Sequence, residues 1–368
     1  ALVVTENKIT ALDLPALSED ALRARVIGDE DQNTYLRAYL AWRSDPYHDE
    51  KREAWKAALE VTASWLWDVL MQPLVAHLEQ IAALGSPVVL IPSDWLSLLP
   101  LHAAWMPDAS QPCGRRYALD AFTFTYSPSA LALMHAGSQT EKVSAEKLLV
   151  VENPDGSLHF SEPAARAALD LFESSTHLPR QAATFDAVRE AFESHNVLYF
   201  FTHGIARFDA PLQSSLTLAD KPLTLDDIFS LKTDSVRLAV LSACETGVPS
   251  NLDLLDEAIS LPSGLMQAGV PGVVGSLWTV MESSTAILMT IFFEQWRKEG
   301  LSAPQALRKA QMIMRDALYS QAAKNYFKNS LNEGSHSSFQ LSEILHKELL
   351  INDFDHPFYW AAFIYTGL

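Results

Sequence analysis

The chain has 368 residues, of which 48% are hydrophobic, and its formal net charge is -18. This length and hydrophobic content predict a folded protein with two subdomains or one extended sheet, and they exclude a disordered chain. The acidic balance argues against a nucleic acid or an anionic membrane as partner, because both would be repelled, whereas a cationic substrate would be attracted.

The two cysteines, Cys113 and Cys244, are too few for a disulfide framework or a four-cysteine metal site. The sequence also contains no apolar run long enough to cross a bilayer and opens with no signal peptide. We therefore expect a cytoplasmic protein that needs no metal and no cofactor. The chain begins inside an apolar run, without methionine, so we expect it to be part of a longer protein.

The first half of the chain predicts a mixture of strands and helices. A hairpin opens it, and apolar residues at helical spacing then predict a long helix over about 50–83, bent near Pro73. Buried strands are predicted at Val88–Ile91 and Ala121–Tyr126. His102 lies among apolar residues and is interpreted as a core histidine.

The second half alternates regularly after a polar stretch, Gly137–Lys147, that is the best candidate for a linker. Strands that alternate with helices of ordinary length predict a largely parallel sheet that helices cover on both faces. The predicted strands are 148–151, 177–178, 196–204, 236–247, 270–278 and 358–365, and the predicted helices are 162–172, 184–194, 225–231, 283–298 and 304–317.

Two of these buried strands end in residues that can do chemistry. The run NVLYFFTHG ends at His203 and Gly204, and VRLAVLSACETG ends at Cys244 and a later glycine. Open α/β sheets place their ligand sites beyond the carboxyl ends of the strands. If the two strands are neighbours, the sequence predicts that His203 and Cys244 lie side by side.

A histidine beside a cysteine suits nucleophilic catalysis. A thiol attacks a carbonyl only as a thiolate, and imidazole is the base that titrates in the right range. The backbone amides of Gly204 and Cys244 could stabilise an oxyanion. The alternative for either residue alone is a packing role, because buried cysteines often only pack. Both residues together, each with a glycine nearby, favour catalysis.

The same blocks resemble a known family. The His-Gly ending, SACETG, VPGVVGSLW, the closing HPFYWAAF and the earlier IPSDWLSLLPLHAAW are similar to the CHAT domain, a caspase-like cysteine peptidase family related to separase. The resemblance implies an α/β, caspase-like fold with a mostly parallel sheet flanked by helices. It implies an N-terminal pseudo-protease-like subdomain in residues 1–138 and a catalytic subdomain in residues 139–368. His203 would be the general base and acid, with a backbone carbonyl to orient it, and Cys244 the nucleophile.

The resemblance also implies where substrate binds. In separase-like enzymes an acidic residue shortly after the Leu-Trp pair lies in the pocket for a basic P1 side chain, and Glu282 stands at that place. Glu245 and Asp256 are further candidates for the rim of this pocket. Their alternatives are a loop carboxylate that backbone amides satisfy and a charge at a helix N-terminus. A buried carboxylate would prefer arginine to lysine when both of its oxygens engage.

We therefore expect a cysteine endopeptidase that cleaves a protein partner after a basic residue, gated by an upstream helical-repeat or other sensor region. Two alternatives stay open. One is a catalytically silent caspase-like scaffold, and the other is an acyltransferase or amidase with the same two residues. A peptidase needs an open groove whose edge strand pairs with an extended peptide, and the strand around 214–218 could supply that edge.

Overall fold

The structure is a computed structural model that describes residues 1–29, 33–140, 143–207, 210–243, 260–316 and 354–368. It forms two compact units. One comprises Ala1–Pro87 with Leu98–Thr123, and the other comprises Val88–Ser97 with Phe124–Leu368. These units are defined by internal packing, and the division of the family subdomains between residues 138 and 139 stays a prediction.

The strands are β1 (Leu2–Val4), β2 (Ile9–Ala11), β3 (Pro87–Leu90), β4 (Trp105–Pro107), β5 (Arg115–Tyr117), β6 (Thr123–Tyr126), β7 (Lys147–Glu152), β8 (Ser174–Pro179), β9 (Val197–Phe201), β10 (Gly204–Ile205), β11 (Ser215–Leu216), β12 (Leu223–Thr224), β13 (Leu238–Leu241), β14 (Gly272–Ser276) and β15 (Phe363–Gly367). The α-helices are α1 (Glu19–Val26), α2 (Tyr35–Arg43), α3 (Asp49–Leu66), α4 (Gln72–Leu78), α5 (Ala118–Ala121), α6 (Ala130–Thr140), α7 (Ser161–Leu169), α8 (Phe185–Phe192), α9 (Leu225–Phe229), α10 (Leu261–Gln267), α11 (Glu282–Arg297), α12 (Ala303–Arg315) and α13 (Pro357–Trp360).

The first unit confirms the opening hairpin and the long helix. β1 pairs with β2 in antiparallel register. α3 continues through a π-helical turn, Trp67–Met71, into α4. The turn has a local cause, because Pro73 has no N–H to donate to the carbonyl four residues back. The N–H of Gln72 instead reaches the carbonyl of Trp67, five residues back.

The interior of the first unit is aromatic. Trp55 is fully buried, and the rings of Tyr35 and Tyr39 lie 4.7 Å and 5.2 Å from its ring. His102 is buried as expected, and burial lowers its pKa to about 3, so it is a neutral core histidine at physiological pH.

The second unit is built on a sheet in the order β3-β6-β15-β14-β13-β9-β7-β8. The pairs β7-β8, β7-β9, β9-β13, β13-β14 and β15-β6 are parallel, and β14-β15 is antiparallel. This confirms the predicted α/β class with a mostly parallel sheet, and β9 and β13 are neighbours as the sequence analysis required.

Helices cover both faces of this sheet. On one face Leu198 and Phe200 of β9 join an apolar cluster with residues of α8, α9 and α10. On the other face the ring of Tyr199 lies 4.9 Å from that of Phe293 in α11. Successive residues of a strand point to opposite faces, so a strand buried on both faces reads as the continuous apolar run seen in the sequence.

Two predicted elements are corrected. α6 extends to Thr140, so the polar stretch from Gly137 is partly helical and not a linker throughout. The terminal strand starts at Phe363 rather than at residue 358, because α13 precedes it, with proline in its first turn and the side chain of His356 accepting the N–H of Phe358. Among the helices described, none is long and apolar enough to span a membrane.

Candidate active site

The carboxyl ends of four adjacent parallel strands, β7, β9, β13 and β14, lie along one edge of the sheet, which we call the carboxyl edge. Glu152 at the end of β7 pairs with Phe201 at the end of β9. Phe200 pairs in turn with Leu241 of β13, and the N–H of Ser242 extends this ladder to the Phe200 carbonyl at 2.9 Å. Residues that follow these strands therefore gather at one edge, as α/β sheets favour for ligand sites.

The structure places some of the predicted site residues at this edge. His203 comes two residues after β9. The chain beyond β13 is described as far as Ala243, which is buried and whose carbonyl accepts from the Ser276 hydroxyl at 3.4 Å. Cys244, Glu245 and Asp256 lie outside the described residues, so the pairing of His203 with Cys244 and the two rim carboxylates stay predictions.

The imidazole of His203 contacts the loop that follows β7. Its Nε2 lies 2.7 Å from the Ser157 hydroxyl and 3.8 Å from an oxygen of Asp155. The His203 side chain is 40% exposed, so a substrate can reach it. A backbone carbonyl was the predicted partner of this histidine, and neither side chain was predicted. The signal available in the sequence was the turn NPDGS, directly after a buried strand.

The loop that carries Asp155 and Ser157 is closed by its own first residue. The side chain of Asn153 donates to the Leu158 carbonyl at 2.6 Å and accepts the Leu158 N–H at 3.0 Å. Both Asn153 and Gly156 have positive φ, at 49° and 78°, conformations that asparagine and glycine tolerate best. The backbone is thus folded into a tight turn that directs its polar side chains toward His203.

Asp155 is an ionised partner in this loop. One of its oxygens accepts from the Ser157 N–H at 3.1 Å and from the Ser157 hydroxyl at 2.8 Å. Partial burial raises the pKa of Asp155, but the two hydrogen bonds and the charge of His203 outweigh that effect and leave the pKa below its ordinary value. The group is therefore a carboxylate at neutral pH.

Gly204 lies in β10, in antiparallel register with β11. The Thr217 N–H donates to the His203 carbonyl at 2.8 Å, which makes His203 and Thr217 a hydrogen-bonded pair. Hydrogen-bonded and non-hydrogen-bonded pairs alternate along an antiparallel ladder, so the next pair, Gly204 with Leu216, is of the second kind. The N–H of Gly204 therefore points away from β11, as an oxyanion donor must.

Glu282 begins α11 and reaches the segment before α7. Its carboxylate accepts the N–H of Phe160 in a short hydrogen bond. Burial raises the pKa of Glu282, and backbone hydrogen bonds from Phe160 and His159, with the charges of His159 and His203, only partly oppose the rise. This carboxylate is thus half-buried and near His203, but its predicted contact with a P1 side chain stays a prediction.

A third carboxylate at the carboxyl edge, Glu152, is buried and was not predicted from the sequence. It accepts from the Ser161 hydroxyl at 2.5 Å and lies 3.5 Å from Nε2 of His177. Burial raises the pKa of Glu152, but the partners His177 and Ser161 outweigh it, so the pKa falls below its ordinary value. Since its side chain is only 5% exposed, Glu152 holds the start of α7 and has little access to a ligand.

Some solved structures are similar to this chain at low sequence identity. The fold is similar to separase in the Saccharomyces cerevisiae separase-securin complex, with TM-score 0.47 and 14% identity over 76% of this chain and 15% of that chain. It is similar to the Arg-specific cysteine proteinase gingipain R, with TM-score 0.42 and 10% identity over 67% of this chain and 54% of that one. It is also similar to a chain in the complex of Porphyromonas gingivalis RgpB pro- and mature domains, with TM-score 0.48 and 10% identity over 82% of this chain and 68% of that chain.

This chain therefore spans a small part of separase and about half of gingipain R. No curated protein sequence matches it significantly. The family model described as CHAT domain matches residues 60–368, well over half of the chain. On that match, and with a mostly parallel sheet whose carboxyl edge holds His203, the protein belongs to the CHAT domain family.

Proposed function

We propose that this protein is a cysteine endopeptidase of the caspase-like superfamily, with Cys244 as nucleophile and His203 as base. One observation carries the proposal. β9 and β13 are parallel neighbours in register, β9 leads to a half-exposed histidine, and β13 leads through Ser242 and Ala243 directly to Cys244. In the sequence Cys244 directly follows Ala243, the last residue that the structure describes after β13.

The chemistry assigns a step to each group. The thiol of Cys244 gives its proton to His203, and the thiolate attacks the scissile carbonyl. The amides of Gly204 and Cys244 stabilise the oxyanion, for which the outward direction of the Gly204 N–H is suitable. The imidazolium then returns its proton to the leaving amine, and water hydrolyses the thioester that remains.

Specificity for a basic P1 residue is part of the proposal. Glu282 supplies a half-buried carboxylate near His203, and a guanidinium could engage it through two hydrogen bonds. Glu245 and Asp256 are proposed for the rim of the same pocket. The net charge of -18 attracts a basic substrate segment.

The surroundings of the enzyme are proposed on the family resemblance. We place it in the cytoplasm, acting on a protein substrate, with an upstream helical-repeat or sensor region that gates the protease. The first 138 residues would be the pseudo-protease-like subdomain of the family. A membrane or a nucleic acid is not among the proposed partners, because the acidic charge would repel both.

The test is cleavage of fluorogenic peptides that differ only at P1, together with labelling by an acyloxymethyl ketone that carries arginine at P1. We expect Arg to be cleaved best, and Cys244→Ala to abolish both cleavage and labelling. Cys113→Ala is the matched control, because Cys113 lies in the other unit, where its thiol donates to the Arg115 carbonyl at 3.3 Å.

Three outcomes would overturn the proposal. Cleavage that persists in Cys244→Ala would exclude the thiolate mechanism. A protein that cleaves no peptide and is not labelled would favour the silent scaffold, whereas turnover of small amides but not of peptides would favour the amidase.

A further inference from the structure

The bridge from Asp155 through Ser157 to His203 constrains the position of a proton. The Ser157 hydroxyl has one hydrogen and two neighbours that could receive it, a carboxylate oxygen of Asp155 at 2.8 Å and Nε2 of His203 at 2.7 Å. A carboxylate only accepts hydrogen bonds, and the same Asp155 oxygen already fixes the Ser157 N–H. The hydroxyl hydrogen therefore belongs to Asp155.

This assignment fixes the other hydrogen bond of Ser157. With its hydrogen given to Asp155, the hydroxyl oxygen can only accept from the imidazole, so Nε2 of His203 must carry a proton. A neutral imidazole has one N–H, which leaves Nδ1 as the basic nitrogen. The remaining oxygen of Asp155, 3.8 Å from Nε2, adds a favourable charge when the ring becomes an imidazolium.

We propose that Asp155 and Ser157 are positioning residues that hold His203 in the Nε2–H tautomer and make Nδ1 the nitrogen that takes the thiol proton. The last part rests on the proposed function. In that step the S–H bond of Cys244 breaks, the proton forms an N–H bond at Nδ1, and the electron pair stays on sulfur. Nε2 keeps its proton throughout, donating to Ser157, and the imidazolium is balanced by the Asp155 carboxylate.

The tautomer can be read directly, without any turnover. The purified protein is labelled with ¹⁵N-histidine, His203 is assigned by comparison with His203→Gln, and the spectrum is recorded at about pH 9, above the ordinary imidazole pKa of about 6.5. We expect a protonated Nε2 and an unprotonated Nδ1 in the wild type. In Ser157→Ala we expect a mixture of the two tautomers, and in Ser157→Thr, which keeps the hydroxyl, the wild-type pattern.

A second histidine gives the matched control. The Ser194 hydroxyl lies 3.1 Å from Nδ1 of His195, just before the amino end of β9 and therefore at the other end of this strand from His203. Ser194→Ala should leave the His203 signals unchanged. A wild-type spectrum with Nδ1 protonated, or a Ser157→Ala spectrum identical to the wild type, would overturn the proposal.

Kinetics test whether the tautomer matters for catalysis. Ser157→Ala should lower kcat about 10- to 100-fold with little change in KM, because the ring is mispositioned while the substrate pocket is intact. Asp155→Asn keeps an acceptor for the hydroxyl but removes the charge, so its kcat should lie between those of Ser157→Ala and the wild type. If the tautomer pattern holds but no peptide is cleaved, the positioning of His203 by Asp155 and Ser157 stands and the endopeptidase proposal fails. The two failures are therefore distinguishable.

Discussion

Asn196 and His203, at the two ends of β9, use their polar side chains in opposite ways. At the amino end of β9, the Asn196 side chain donates to the Ser235 carbonyl at 2.9 Å and accepts the Lys147 N–H at 3.3 Å. The backbone of Asn196 also takes part, because its N–H donates to the Lys147 carbonyl at 3.0 Å and its carbonyl accepts the Arg237 N–H at 2.7 Å. At the carboxyl edge, by contrast, His203 is bonded to other side chains.

The partners of a polar side chain therefore indicate whether its role is structural or chemical. A side chain whose partners are backbone groups, such as Asn196, ties strands together and completes hydrogen bonds that would otherwise be lost. A side chain whose partners are other titratable groups, and which is still exposed, can exchange a proton with a ligand. Asp155 and His203 belong to the second kind, with side chains that are each 40% exposed.

The largest effect is expected at Glu282, which has features of both kinds. If it binds a P1 guanidinium, Glu282→Gln should lower kcat/KM for an Arg substrate about 10- to 100-fold and leave cleavage after a neutral residue nearly unchanged. Because burial raises its pKa above the ordinary 4.5, the wild type should lose its preference for Arg as the pH falls through that raised value, while the variant should not.

The control for this prediction is Glu162→Gln, an exposed carboxylate that pairs with Arg166 on α7 at 2.8 Å. This variant should change kcat/KM for neither the Arg substrate nor the neutral one. An equal loss for Arg and for neutral P1 residues in Glu282→Gln would mean that the carboxylate only anchors the N–H of Phe160 and lies outside the pocket.

Glu152 lies at the carboxyl edge, near His203, and yet we expect its role to be purely structural. Glu152→Gln should lower the free energy of unfolding by about 1–3 kcal/mol at neutral pH, since a buried charged hydrogen bond is weakened. Its folded pKa lies below the ordinary 4.5, so its contribution is present above that value and is lost as the pH falls through the folded pKa.

Urea unfolding of both proteins at about pH 7 and at about pH 3.5 measures this. The free energy of unfolding should differ strongly between wild type and variant at about pH 7, and the difference should be smaller at about pH 3.5. Ser161→Ala, which removes the hydroxyl donor, should reproduce part of the loss. A difference that is equal at both pH values would show that folding does not lower the pKa of Glu152.

The smallest effect is expected at the amino end. Asn196→Ala should lower the free energy of unfolding by only about 1 kcal/mol, because water can replace the hydrogen bonds of this half-buried side chain. The activity per folded molecule should not change. Unfolding experiments combined with kcat would check both points. A large fall in kcat would break the distinction between the two ends.

The sequence alone predicted the frame of the site because its signals are local. Apolar runs ended by His-Gly and by small residues identified β9 and β13, and strand alternation predicted the sheet in which they are neighbours. Local signals also misled the prediction of the terminal strand. FYWAAFIY is rich in strand-forming residues, yet Pro357 and the cap from His356 begin a helical turn before β15.

The partners of His203 could not be predicted because they depend on long-range packing. Ser157 is 46 residues away from His203 along the chain, and Phe160 is 122 residues away from Glu282. NPDGS predicts a turn but not the direction in which its side chains point. That direction is set by the two hydrogen bonds between Asn153 and Leu158, which we call the clasp, and by the pairing of β7 with β9.

The clasp made by Asn153 has an energetic consequence. A loop that must be ordered by its substrate consumes part of the binding energy, at about 1–2 kcal/mol for each residue whose backbone is fixed. Here a single asparagine closes the turn during folding, before any ligand arrives. The hydroxyl and carboxylate that face His203 are therefore arranged in advance, so the entropy cost of ordering them lowers the stability of the native state and not the affinity for a ligand.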